Sequence, residues 1–393
     1  MSKKVGITGN EAIAQAMRIA NPDVCGAYPI TPATDIMQRF TSFVANCEVK
    51  TEMILTESEH SAMSACIGSS VAGGRVATAS AAQGIALMWE MLFIASGLRL
   101  PIVMGVANRA LSAPLNIHGD HSDGMGMRDC GWIHFYSENA QEGFDNMLMA
   151  FRIAEHMDIR LPVMVGLDGF ITSHSIETME YVDDETGRAF VGEFKAVNPL
   201  LDIKNPKSYG PLILTDMYME YRKAHDNVMA KVPGVVLEVA AEFEKISGRK
   251  YGLFESYRLD DAEIALVVMS SAAGTTKDVI DTYRAKGVKV GLLKPRLYRP
   301  FPYEQMGEAL KHCKAVAVLD RADCFGGSYG PLFADVSNAL YHYAQRPIMI
   351  NKIYGLGGRD YMPDQAEYTI NELIQIAKDG KVKSIKEYIG VRE

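Results

Sequence analysis

From Ser61 to Ala86, seventeen of 26 residues are Gly, Ala or Ser, including Gly68-Ser69-Ser70 and Gly73-Gly74. Side chains this small cannot fill the space around their own backbone. Something else must approach closely: another stretch of main chain, a partner subunit or a flat ligand. Immediately ahead stands Thr56-Glu57-Ser58-Glu59-His60, which sets the Glu59 carboxylate at the mouth of the segment. Glu59 reads either as a helix N-terminal acid, worth roughly a few tenths of a kcal/mol against the dipole, or as a buried acid facing a ligand. Glu57 fits the first role equally well and would leave Glu59 to the second.

The chain has 393 residues, 48% hydrophobic and 22% charged, room for two or three globular domains. A net charge of −8, a pI near 5.7 and the lack of a long Lys/Arg block argue against nucleic acid as a partner. No stretch approaches the ~20 apolar residues of a membrane span. Met1-Ser2-Lys3-Lys4 runs into strand-like Val5-Gly6-Ile7 rather than a signal sequence, so a cytoplasmic location is expected. The cysteines at 25, 47, 66, 130, 313 and 324 are scattered, with no C-x-x-C pair and no zinc-type spacing. They read as reduced core thiols, not as cluster or metal ligands.

Residues 1–262 carry 22 basic and 33 acidic side chains, residues 263–393 carry 18 and 15. The imbalance suggests two units, 1–250 and 251–393, with the seam in the polar stretch 248–261. In the second unit the apolar run 264–269, a helical pattern over 275–286 and the run 288–293 form a βαβ unit. A helix-like 303–312, a strand at 315–320 and a helix at 332–343 follow, giving a small doubly wound α/β domain. The first unit repeats that rhythm, with a helix over 10–20 and strands at 24–28, 76–80, 102–107 and 162–167, each followed by polar or Gly/Pro residues. Ligands of open parallel sheets sit beyond the carboxyl ends of the strands, so four distant loops are expected to meet at one crevice. Residues 170–250 break the pattern, with a Pro-bearing loop at 199–211 and a long helix-like run at 214–247, and read as a bracing extension.

Three of the loops hold candidate chemistry. In Tyr28-Pro29-Ile30-Thr31-Pro32 the two prolines restrict the backbone on both sides of Thr31 and fix its hydroxyl. The plainer alternative is a strand-to-helix turn capped by Thr34 or Asp35. Arg109 ends an apolar strand and suits bidentate recognition of a carboxylate, or a structural ion pair with Asp120 or Asp123. His118-Gly119-Asp120-His121-Ser122-Asp123 offers metal-type ligands in no closed set, and equally suits hydrogen bonds that order the loop. G-x-G-x-x-G, Walker and G-x-S-x-G motifs are absent, which weakens dehydrogenase, nucleotidase and hydrolase readings.

Taken in order, Tyr28–Pro32, Glu57–Ala62, Asn108–Ser112, Gly119–Asp123, Leu167–Phe170 and Tyr354–Asp360 resemble the alpha subunits of multi-subunit 2-oxoacid:ferredoxin oxidoreductases of the pyruvate type. The resemblance covers essentially the whole chain. It implies a thiamine-diphosphate-binding fold, a pyrimidine-type module on a doubly wound, mostly parallel sheet, followed by a transketolase C-terminal-like α/β domain. It further implies oxidative decarboxylation of pyruvate with coenzyme A, electrons passing to ferredoxin. A branched-chain 2-oxoacid, 2-oxoglutarate or oxalate enzyme, or a non-catalytic scaffold, remains an alternative.

By the same resemblance, Glu59 is the acid that hydrogen-bonds N1′ of thiamine diphosphate and favours the tautomer able to deprotonate the thiazolium. Tyr28, Pro29, Ser80 and Gln83 are its neighbours around the cofactor. Thr31 and Arg109 bind the substrate carboxylate, and threonine in place of the arginine found at position 31 in an oxalate-using relative favours a singly charged 2-oxoacid. No G-D-G…N signature is present, so diphosphate, Mg2+ and [4Fe-4S] clusters are expected on partners: a diphosphate-binding beta subunit and gamma and ferredoxin-like delta subunits, or fused equivalents.

Overall fold

The computed structural model describes residues 3–392. A seven-stranded sheet has the order Leu297–Arg299, Ile133–Ser137, Val163–Asp168, Ile102–Asn108, Val76–Ser80, Val24–Ala27, Glu52–Leu55. Its pairs are parallel except at Leu297–Arg299, which runs antiparallel to Ile133–Ser137. A six-stranded sheet has the order Lys386–Tyr388, Ile348–Ile353, Ala315–Asp320, Ile264–Val268, Val290–Pro295, Phe254–Tyr257. Only Phe254–Tyr257 is antiparallel there. Lys3–Thr8 and Ile176–Tyr181 form a separate antiparallel ribbon.

The central strands are buried along their whole length and read as continuous apolar runs because helices cover both faces. Helix starts follow from local chemistry. Thr8 and Glu11 close a capping box ahead of Gly9–Ala20, and Asn139 caps Ala140–Glu155. The capping expected of Thr34 or Asp35 is not found: helix Thr34–Ala45 begins after Ala33 with no side-chain cap. The single helical run expected at 214–247 is two helices, Tyr218–Met229 and Val232–Ser247. Pro233 lies in the first turn of the second, where its missing N–H costs least, and could not continue the first. Val232, Val236, Val239 and Phe243 of that helix pack into the core of the seven-stranded sheet, so this part of the extension is a brace.

The chain crosses between the sheets more than once. Strand Leu297–Arg299 lies after the expected seam yet completes the edge of the first sheet. The two units are thus interleaved rather than separately built. No helix among the described residues is long and apolar enough to cross a membrane.

Candidate active site

Four neighbouring strands, Val163–Asp168, Ile102–Asn108, Val76–Ser80 and Val24–Ala27, are parallel and end on one edge. Their carboxyl-terminal loops therefore share a crevice, as the alternation of apolar strands and polar loops predicts. Glu59 opens helix Glu59–Ala72, which is capped by Ser58 accepting from Ser61 N–H. Its side chain is only 7% exposed and makes no hydrogen bond or ion pair among the described residues. Glu57, two residues earlier, is exposed and accepts from the Ser61 hydroxyl, which lowers its pKa. The helix-end acid and the buried acid are thus two different residues.

Glu59 lies against Gly84: a Cβ at Gly84 would fall 2.7 Å from Glu59 Oε1 and 2.6 Å from Ser80 Oγ. Only glycine admits this approach. Ser80 Oγ is buried and unpartnered, and so is Gln83 Oε1, while Gln83 Nε2 donates to Ser112 Oγ at 2.8 Å. Tyr28 is half-buried and Pro29 exposed on the loop after Val24–Ala27.

Arg109 is 7% exposed. Its Nε donates to the Asn116 carbonyl and its Nη1 to the Thr31 carbonyl, each at 2.9 Å. The structure thus joins two of the expected site residues directly, though through the Thr31 backbone. The exposed Thr31 hydroxyl has no partner among the described residues. The ion pair weighed for Arg109 does not form: Asp120 instead accepts from Ser122 and from Gly357 N–H. Asp123 accepts the Arg109 backbone N–H, not its guanidinium. Burial lowers the Arg109 pKa, opposed by the nearby Asp123 charge. A guanidinium held by two neutral carbonyls keeps its charge free for an anion.

Asp123, readable from the sequence as part of a polar run and as an ion-pair candidate for Arg109, proves instead to be the hub of the crevice. Its carboxylate accepts from Ala82 N–H, Arg109 N–H, Gly124 N–H and Asn108 Nδ2, at 2.6 to 2.9 Å. It holds Ala82, whose φ of 44° lies in the left-handed region, at the start of the turn that carries Gln83 and Gly84. Burial raises the Asp123 pKa to about 6 despite these donors. His121 Nε2 lies 2.7 Å from Asp168 Oδ1, and Arg321 Nη1 lies 3.0 Å from Asp168 Oδ2, which Ser271 also contacts. Burial alone would raise the Asp168 pKa, but Arg321, His121 and Ser271 outweigh it and hold it below the usual range. The polar residues of 118–123 thus order a loop and lock it to the second unit. Asn116 Nδ2 meets the Gly357 carbonyl at 2.9 Å, so the Gly-rich loop at 355–358 braces the segment that grips Arg109.

Residues 15–241 match the family described as pyruvate flavodoxin/ferredoxin oxidoreductase, thiamine diP-bdg, and residues 262–366 match pyruvate:ferredoxin oxidoreductase core domain II. The chain is 49% identical over 391 residues to the pyruvate synthase subunit PorA of Thermotoga maritima, covering 100% of this chain and 99% of that one. The PorA subunit of Pyrococcus abyssi is 46% identical over 384 residues, covering 98% and 97%. The ketoisovalerate oxidoreductase subunit VorA of Pyrococcus abyssi is 41% identical over 381 residues, covering 97% and 95%. Among solved structures, a 2-oxoglutarate:ferredoxin oxidoreductase from Magnetococcus marinus matches with a TM-score of 0.74 at 20% identity over 95% of this chain, which spans 65% of that chain. A split-gene transketolase matches with a TM-score of 0.54 at 13% identity, covering 95% and 98%. These two likenesses are of fold alone, and the fold is that of thiamine-diphosphate enzymes. An unpartnered buried carboxylate across a glycine from orphaned polar atoms fits one edge of an aminopyrimidine. The chain belongs to the pyruvate flavodoxin/ferredoxin oxidoreductase family and is a subunit of a thiamine-diphosphate-dependent 2-oxoacid:ferredoxin oxidoreductase.

Proposed function

We propose that this alpha-type subunit serves the oxidative decarboxylation of pyruvate with coenzyme A, giving acetyl-CoA and CO2 reversibly, with electrons passing to ferredoxin. One observation carries the reading: the buried Glu59 carboxylate has no partner among the described residues, while Ser80 beside it and Gln83 next to Gly84 keep unpaired oxygens. Thiamine diphosphate, when bound, supplies the nucleophilic carbon that attacks the keto carbon of the substrate. Glu59 holds the proton at N1′ of its pyrimidine, and Tyr28, Pro29, Ser80 and Gln83 surround that ring. Arg109, with the Thr31 hydroxyl, holds the substrate carboxylate. Departure as neutral CO2 removes the charge that the guanidinium gripped, so the clamp favours binding without trapping the product.

The diphosphate and Mg2+ belong to a diphosphate-binding partner subunit, the [4Fe-4S] clusters to partners that include a ferredoxin-like subunit, and the complex to the cytoplasm. A branched-chain 2-oxoacid is the second reading, favoured by the 41% identity to the VorA subunit, since Arg109 and Thr31 read only the carboxylate.

In the assembled complex, Glu59→Gln is expected to keep its subunits and lose roughly 10²-fold or more in turnover. Arg109→Ala is expected to raise KM for the 2-oxoacid well above any change for thiamine diphosphate. Normal turnover in the first variant, or unchanged substrate dependence in the second, removes the assigned roles. Assay with pyruvate, 2-oxoisovalerate and 2-oxoglutarate decides the substrate, and a clear preference for 2-oxoisovalerate replaces pyruvate.

A further inference from the structure

Between helices Asp184–Val191 and Tyr218–Met229 the chain forms no helix or strand, a length of irregular structure uncommon in a compact domain. From Leu201 through the first turn of the second helix, this part of the chain is unusually apolar for a surface. Leu201 is 71% exposed, Ile203 90%, Leu212 88% and Met219 78%, with Leu214 and Tyr221 also exposed. Monomeric proteins rarely leave so many large apolar side chains in water along one segment.

The arm is tethered to the helix that begins with Glu59. Leu200 N–H donates to the carbonyl of Val71 in that helix's last turn at 2.8 Å, and Pro199 packs on Gly73 just beyond it. Along the same helix, apart from His60 at its start, the residues that are not buried are small and recur at helical spacing: Ser61, Ser64, Ala65, Gly68, Ser69 and Ala72. A Cβ at Gly68 would meet nothing within 4 Å. Helix Trp89–Gly97 packs alongside and leaves Trp89, Glu90, Ile94 and Gly97 exposed, with Glu90 3.9 Å from His60. Between Phe93 and Gly97 of that helix and Leu212, Tyr218 and Tyr221 of the arm lies a cavity of about 510 Å³. One low-relief face, small and apolar except for His60 and Glu90 at its Glu59 end, therefore runs from the mouth of Glu59 to the arm, about 20 Å along a helix of 14 residues.

We propose that residues 199–221 form a docking arm for the diphosphate-binding partner subunit, gripping the flank of the same body that completes the Glu59 site. The inference rests on the function proposed above. It favours that partner over a second copy of this chain because the face is continuous with Glu59. A second copy seated there would cover the site with a chain lacking the diphosphate signature, so a productive complex needs this face for the other subunit.

The test uses the full chain and the purified diphosphate-binding subunit, mixed and as the assembled enzyme. Ile203→Asp with Leu212→Asp, both at exposed positions, is expected to leave the circular dichroism of the chain unchanged and to weaken its association with that subunit roughly tenfold or more, measured by sedimentation. Turnover should recover at saturating partner. Hydrogen exchange of amides 200–221 should slow when the partner is added to the wild-type chain. Unchanged association together with unchanged exchange overturns the proposal. So does a variant that loses only self-association of the isolated chain, which assigns the arm to a second copy. Glu59→Gln separates the two readings: its normal turnover defeats the catalytic assignment while arm protection still reports docking, and lost turnover with an unprotected arm defeats the docking assignment alone.

Discussion

Gly84 is confined to glycine by what lies over it. A Cβ there would stand 2.6 Å from Ser80 Oγ and 2.7 Å from Glu59 Oε1, and both are side-chain atoms that can give way. The backbone survives such a substitution, and the carboxylate does not stay in place. On the role proposed for Glu59, Gly84→Ala is therefore expected to melt almost as the wild type does, yet to lose roughly tenfold or more in turnover of the assembled enzyme, because small displacements of a group that acts on a cofactor are costly. Steady-state kinetics at saturating thiamine diphosphate checks this, and wild-type turnover rejects it. The strand-end placement of Thr31 and Arg109, and the helix-start position of Glu59, are legible in the sequence. The choice between ion pair and free guanidinium at Arg109 is not, because spacing carries no side-chain direction. The hub role of Asp123 is equally hidden: its contact with Ala82 spans 41 residues, and nothing in the loop shows which backbone N–H groups will converge on it.

Helix Pro331–Tyr341 has no cap from its own flanking residue and takes one from the end of a strand. Asp320 accepts from Leu332 N–H at 2.7 Å and Phe333 N–H at 3.1 Å, and Asn351 Nδ2 holds it at 2.8 Å. Burial nevertheless raises its pKa from 3.8 to about 7, Asp335 pushing the same way. The native state thus binds a proton that the unfolded chain has released. The Asp320 contribution is greatest below about pH 4 and is lost as pH rises towards 7. Urea unfolding of Asp320→Asn, which cannot titrate, is expected to show a stability gap to wild type that narrows from about pH 5 to pH 8. A gap constant with pH rejects the assignment. Strands such as Val76–Ser80 and Ala315–Asp320 are legible because both faces are covered and small or apolar residues dominate each run up to a polar end. Leu297–Arg299 is not legible: three residues show no period, and their partner strand lies far away in the chain.

At the scale of the molecule, the two units are joined by buried charge as well as by the strand Leu297–Arg299, which the second unit contributes to the first sheet. Lys294, on strand Val290–Pro295 and 2% exposed, reaches Glu138 and Glu142 from the first unit and Glu255 from the second, with Lys277 alongside. These three acids are the one group among the described residues tight enough to suggest a metal, but the ammonium already occupies their centre. The attraction outweighs the burial that would lower the Lys294 pKa, and holds it raised. Asp168 makes a second junction, tying the end of a first-sheet strand to Ser271 and Arg321 of the second unit. Units welded at two buried sites, one of them lending an edge strand to the other's sheet, should not unfold separately, so calorimetry of the chain is expected to show one transition. Lys294→Met removes the cation and leaves three partly buried carboxylates facing one remaining lysine, a loss of about 3–5 kcal/mol of the kind seen when one partner of a buried ion pair is deleted. Because the acids come from both units, that loss should fall on the junction and resolve the single transition into two. A change below about 1 kcal/mol, within the range of an exposed pair, would mean that the cluster is solvated and that the lent strand, the Asp168 junction and packing couple the units.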